Sequence, residues 1–112
     1  MVGRSQKPVG LFQALTLPAL IAVVGLPMAF QLIPPNAFYG VRTSETLASV
    51  EIWYRSNFWS GVAALLVGLL AVGANLFVVR STKLSERQKS WVTLGTGLMA
   101  AVAMAGAGLM AI

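Results

Sequence analysis

Three stretches without a single charged side chain, residues 9–33, 58–79 and 91–112, decide what this chain can fold into. A hydrocarbon core about 30 Å thick is crossed by roughly 20 helical residues rising 1.5 Å each, and all three stretches reach that length. Helix is the expected form, because in lipid each segment must satisfy its own backbone polar groups. A soluble alternative would need a charged shell. Only 10% of the 112 residues are charged, against about 25% in an ordinary soluble domain. The fold class expected is therefore an all-α membrane protein, one domain over residues 1–112. It has three transmembrane helices, with a short interfacial helix in the loop between the first two.

The first stretch follows Arg4 and Lys7, as a secretory signal would. It is longer than the roughly 7–15 apolar residues of a signal core. No small-x-small cleavage site precedes Pro34-Pro35. It reads as a retained helix that Pro18 and Pro27 can kink.

Orientation follows from the basic residues of the short loops. The N-terminal tail holds Arg4 and Lys7, and the loop at 80–90 holds Arg80, Lys83, Arg87 and Lys89. The loop at 34–57 holds only Arg42 and Arg55. The N-terminus and the 80–90 loop are expected in the cytoplasm, and the 34–57 loop and C-terminus outside. This asymmetry accounts for the net charge of +5 without invoking nucleic acid.

The inventory narrows the chemistry. There is no Cys, His or Asp, and the only acids are Glu45, Glu51 and Glu86. Thiolate and imidazole catalysis and the usual transition-metal ligand sets are excluded, and no cofactor motif is present. The membrane stretches lack the ionisable groups on which pumps, transporters and voltage sensors rely.

The second helix carries Gly61, Ala64, Gly68, Ala71 and Asn75 at three- and four-residue spacing, hence on one face. The third carries Gly97, Ala101 and Ala105, with Gly106 and Gly108 beyond. Small residues allow the close backbone approach that drives helix association in lipid, and Asn75 can add a cross-helix hydrogen bond of about 0.6 kcal/mol. Packing within the bundle is the favoured use of these faces. A second copy of the chain or another membrane protein is the alternative.

Residues 33–61 are the most specific part of the sequence. Pro34-Pro35 should end the first helix. Asn36 can turn the chain, and Gly40 suits a positive φ. Thr43 or Ser44 can cap a short helix with Glu45 in its first turn. A helical pattern from Thr46 then bends into the second membrane helix, with Glu51 and Arg55 paired at i,i+4. Trp53, Tyr54, Phe58 and Trp59 fall where an aromatic belt is expected. Arg42, a planar cation with five donors, can bind a carboxylate, a phosphate headgroup or a peptide backbone beside Asn36, Tyr39, Thr43 and Thr46. Equally, it can pair with Glu45 or Glu51 and lock the loop.

Pro35-Asn36, Phe38-Tyr39-Gly40-Val41-Arg42-Thr43, Thr46-Leu47, Trp53-Tyr54 and Asn57 resemble the signature of the SdpI-like family of small bacterial membrane proteins. The positions that carry the likeness are Asn36, Tyr39, Gly40, Arg42, Thr43, Thr46, Trp53 and Asn57. The resemblance implies a bacterial inner-membrane protein of the immunity type. Its outward loop would recognise a peptide or lipid, such as an extracellular peptide, and possible signalling would follow. The competing expectation is an accessory subunit of a larger membrane complex. An enzyme using Glu45 or Glu51 with Arg42 is not expected, since no catalytic motif is recognisable.

Overall fold

The computed structural model describes residues 8–112, so Arg4 and Lys7 lie outside the described residues. It contains α1 (Leu11–Ala29), the short α2 (Ser44–Ala48), α3 (Val50–Arg80) and α4 (Glu86–Met110). The three long helices are each long and apolar enough to cross a membrane. They form a slender bundle of 56 × 22 × 20 Å. The chain is an all-helical membrane protein, and no strand occurs among the described residues.

The helix α3 is the spine, packed against α1 on one side and α4 on the other. Its stripe of Gly61, Ala64, Gly68 and Ala71 is buried, and α1 answers with Gly25, Ala22, Pro18 and Ala14. The fit leaves no space for side chains at the crossing. A Cβ added to Gly61 would sit 2.4 Å from the Ala29 nitrogen and 2.6 Å from the Gly25 oxygen. One added to Gly68 would sit 3.0 Å from the Pro18 oxygen. In α4, Gly97 lies against Leu17 of α1, and Gly108 against Val41, Ser60 and Ser56. Ile21, Ala64 and Ala100 meet at the centre.

Helix boundaries depart from the expected spans for identifiable reasons. The helix α1 ends at Ala29, before Pro34-Pro35 is reached. Its last turn is closed by Leu32 N–H to Pro27 O at 2.9 Å and Gln31 N–H to Met28 O at 3.1 Å, with Gln31 at φ 58°. This is a Schellman closure, usually marked by glycine. Glutamine hides it from a sequence reading. Downstream, the helical pattern expected from Thr46 is divided in two: α2 ends at Ala48, and α3 starts at Val50, where Ser49 caps it through the Ile52 N–H, and runs on through the apolar span 58–79. Its 31 residues span about 46 Å, roughly 16 Å more than the thickness of a 30 Å hydrocarbon slab. The helix α4 begins at Glu86 instead of 91, under a capping box between Ser85 and Gln88.

Candidate functional site

At one end of the bundle a loop is clamped onto the top of α3. Asn36 starts it. Its Oδ1 accepts from the Phe38 and Tyr39 N–H groups at 2.8 and 2.7 Å, and its Nδ2 donates to Pro34 O and Tyr39 O. One carboxamide thus folds four residues into a turn. The Tyr39 hydroxyl reaches back to α1 and donates to Val24 O. Burial pushes its phenol above the ordinary value, so at neutral pH it remains a donor.

Gly40 then turns the chain at φ 108°. A Cβ there would lie 2.5 Å from Asn57 Oδ1, so both conformation and space demand glycine. Asn57, inside α3, accepts from Val41 N–H at 2.6 Å and donates to Trp53 O at 2.9 Å. Thr43 and Thr46 close a reciprocal capping box on α2. The fully buried Thr46 hydroxyl also donates to Val41 O at 2.9 Å. Such a box satisfies two N–H groups that a helix start leaves open.

Trp53 is not a belt residue. It is completely buried, and its indole N–H donates to Ile33 O at 2.8 Å. The ring forms the floor under the loop, and its edge lies within contact of Gly40. Half-exposed Trp59 takes the outward position instead, in edge-to-face contact with Phe58.

Every motif residue except Arg42 is therefore occupied in shaping the loop. Arg42 is exposed, and among the described residues its guanidinium makes no hydrogen bond or ion pair. Neither of the two acids that offered it a pairing alternative takes it up. Glu51 lies 3.9 Å from Arg55, and Glu45 accepts from the Ser44 hydroxyl at 3.0 Å. The Glu45 backbone N–H, then the Ser44 and Thr43 hydroxyls, hold that carboxyl below its ordinary range.

Arg42 stands at the rim of a groove of about 570 Å³ between α1, α4 and the loop. Val24 and Met28 form one wall, and Ala101, Met104, Ala105 and Leu109 the other. Ala101 and Ala105 were expected to share a packing face with Gly97. Ala101 does pack, half-buried against the core, whereas Ala105 is exposed, and both also line this groove. The inward face of α4 runs through Thr93, Gly97, Ala100 and Gly108.

Hydroxyls that the sequence reading passed over join α3 to α4. Ser56 donates to Gly108 O at 2.6 Å and Ser60 to Met104 O at 2.7 Å. Arg55 donates to Ala111 O at 2.7 Å. Gly108 and Ala111, at the end of α4 where a helix leaves carbonyls open, thus find donors on α3, and Met104 gains a second donor one turn earlier. Their signal in the sequence was the i,i+4 spacing of Ser56 and Ser60, one step before Gly61.

At the opposite end, fully buried Asn75 binds all three long helices. Its Nδ2 donates to Ala14 O at 2.7 Å and to Thr93 O at 3.3 Å, and its Oδ1 accepts from the Thr96 hydroxyl. The Ala14 carbonyl would normally receive the N–H of residue 18. Pro18 has none, and Asn75 supplies the missing donor. Lys89, counted among the basic residues of the 80–90 loop, lies inside α4 and is buried. It pairs with Glu86 at 3.1 Å and donates to Val79 O at 3.1 Å, capping the C-terminal turn of α3. Glu86 also accepts from the Val9 N–H at 2.7 Å.

No group of three or more His, Cys, Asp or Glu residues that could hold a metal occurs among the described residues. A comparison with curated proteins found no match, and a comparison with solved structures found none either. Residues 32–111 match the model of the SdpI/YfhL protein family. That span takes in the whole clamped loop together with α3 and α4, and it places this chain in the SdpI/YfhL protein family.

Proposed function

We propose that this chain is a bacterial inner-membrane binding protein of the immunity type, whose outward loop recognises an amphiphilic peptide or lipid through Arg42. One observation carries the reading. The other motif residues hold the loop in one shape, and what that shape presents is an unpaired guanidinium beside an apolar groove. A fixed, uncompensated arginine suits a carboxylate or phosphate, which it can grip with two parallel N–H bonds. Family membership supports the immunity-type assignment. The role proposed is binding without catalysis.

The accessory-subunit reading rests on the small-residue faces as docking surfaces. On α3 those residues are buried against α1, which leaves that reading without its main support. Placement of the loop outside the cell rests on the excess of basic residues at the other end.

The test is protection. A sensitive bacterium expressing the chain is challenged with a panel of membrane-active peptide toxins. Arg42→Ala should abolish any protection while insertion and folding stay unchanged. Arg42→Lys, which keeps the charge and loses the planar fork, should retain a fraction. Full protection by Arg42→Ala would sink the proposal.

A further inference from the structure

The groove and the arginine impose different demands on one ligand. The walls offer only hydrocarbon and sulfur from Val24, Met28, Ala101, Met104, Ala105 and Leu109. The hydroxyls at its edges already have acceptors. Tyr39 donates to Val24 O, and Ser60 to Met104 O. The loop's backbone is largely paired too. The N–H groups of Phe38, Tyr39, Val41 and Thr43 are bonded within the cap, as are the carbonyls of Tyr39 and Val41. An extended peptide binds largely through main-chain hydrogen bonds, and this surface has few left to give. The open donors belong to Arg42.

We infer that the groove holds an acyl chain of an anionic phospholipid from the adjoining leaflet, with the lipid phosphate on Arg42. This rests on the reading of Arg42 as a recognition residue and names its ligand class. Charge complementarity supports the choice, because the cation lacks an acidic partner and Glu45 is engaged with its own helix turn. Depth supports it as well. Val41 is fastened to Asn57, about 10 Å below the start of α3 by helical rise, which sets Arg42 near headgroup level. The groove runs from there along α1 and α4 toward the hydrocarbon.

The test is native mass spectrometry of the full chain, released from micelles containing equal phosphatidylglycerol and phosphatidylethanolamine with identical acyl chains. Wild type should retain one phosphatidylglycerol in preference, by about tenfold: both lipids offer Arg42 a phosphate, but the ammonium of phosphatidylethanolamine offsets that charge and opposes the guanidinium. Arg42→Ala should lose the preference. Lys83→Ala removes the same charge from the opposite end and should keep it. Ala105→Trp, which fills the groove and leaves Arg42 in place, should lose the retained lipid while circular dichroism shows the helices intact. Equal retention of both headgroups, or a preference that survives Arg42→Ala, overturns the inference. If Arg42→Ala loses protection yet keeps the lipid, the ligand is a peptide and the recognition reading stands alone. If protection and lipid preference both survive, both readings fall.

Discussion

Asn57 and Asn75 lie on one face of α3, five turns and about 27 Å apart, and each carboxamide is fully engaged. Their partners differ. Asn57 holds a loop: Val41 from outside the bundle and Trp53 from its own helix. Asn75 holds helices: Ala14, Thr93 and Thr96 from α1 and α4. Asn57 fixes the shape of a loop, and Asn75 repairs the defect that Pro18 leaves in α1. The difference separates what presents Arg42 from what keeps the bundle together. Substitutions at the two ends should fail in different ways.

The seam that both ends depend on should be the most sensitive. Gly61→Val inserts side-chain atoms where even a Cβ would meet backbone at 2.4 Å. Backbone cannot yield as a flexible side chain can, so α1 must move off α3. A loss of about 3 kcal/mol or more is expected, enough to populate an opened bundle. Unfolding in graded denaturing detergent measures it. Near-normal stability would mean that the two helices do not approach so closely.

Asn75→Leu comes next, at about 1–2 kcal/mol, since it strands the Ala14 carbonyl in an apolar interior. The proline explanation makes a sharper claim. Restoring an N–H at position 18 with Pro18→Ala gives Ala14 a donor again. The double variant Asn75→Leu/Pro18→Ala should therefore cost less than the sum of the singles, by about 1 kcal/mol. Strict additivity in the cycle would show that Asn75 is not compensating for Pro18.

Asn57→Ala should leave the bundle standing and release the cap. It removes the acceptor for Val41 N–H and so weakens the loop by about 2 kcal/mol, roughly thirtyfold in local opening. Hydrogen exchange should rise over residues 36–46 and stay unchanged at the Asn75 end. Protection by the protein should fall with it, because Arg42 loses its fixed position. Faster exchange spread through α1 and α4 would erase the distinction between the two ends.

The sequence made the helices and much of the loop legible because those signals are local. Charge-free runs mark the spans, and Thr43-x-x-Thr46 carries its own capping geometry. What stayed hidden depended on contacts between distant residues. Trp53 looks like an interfacial anchor until Ile33, twenty positions away, takes its N–H. Pro18 and Asn75 are each visible, but their relation needs the register of α1 on α3. Gln31 closes α1 where glycine would have announced the stop. Arg42 was legible as an exception, yet whether Glu45 or Glu51 neutralised it could be read only from side-chain positions.

Acid should loosen the cap on α2, and weakly. Glu45 sits in the first turn of α2, where a carboxylate favours the helix dipole. Its own backbone N–H, then the Ser44 and Thr43 hydroxyls, depress its folded pKa below the ordinary 4.5. A depressed carboxylate contributes stability that is present above the unfolded pKa and is lost as pH falls through the folded value. The cap should accordingly be unchanged down to about pH 4.5 and loosen below it. Because Glu45 is fully exposed, the effect should be the smallest of the set. Hydrogen exchange at residues 43–48 across pH 6 to 3, corrected for intrinsic rates, would measure it, with Glu45→Gln as the reference. The variant should exchange faster than wild type at pH 6 and converge with it in acid. Equal protection at pH 6 would mean that the charge does nothing for α2, leaving the Thr43–Thr46 box as the clamp that holds the start of the short helix.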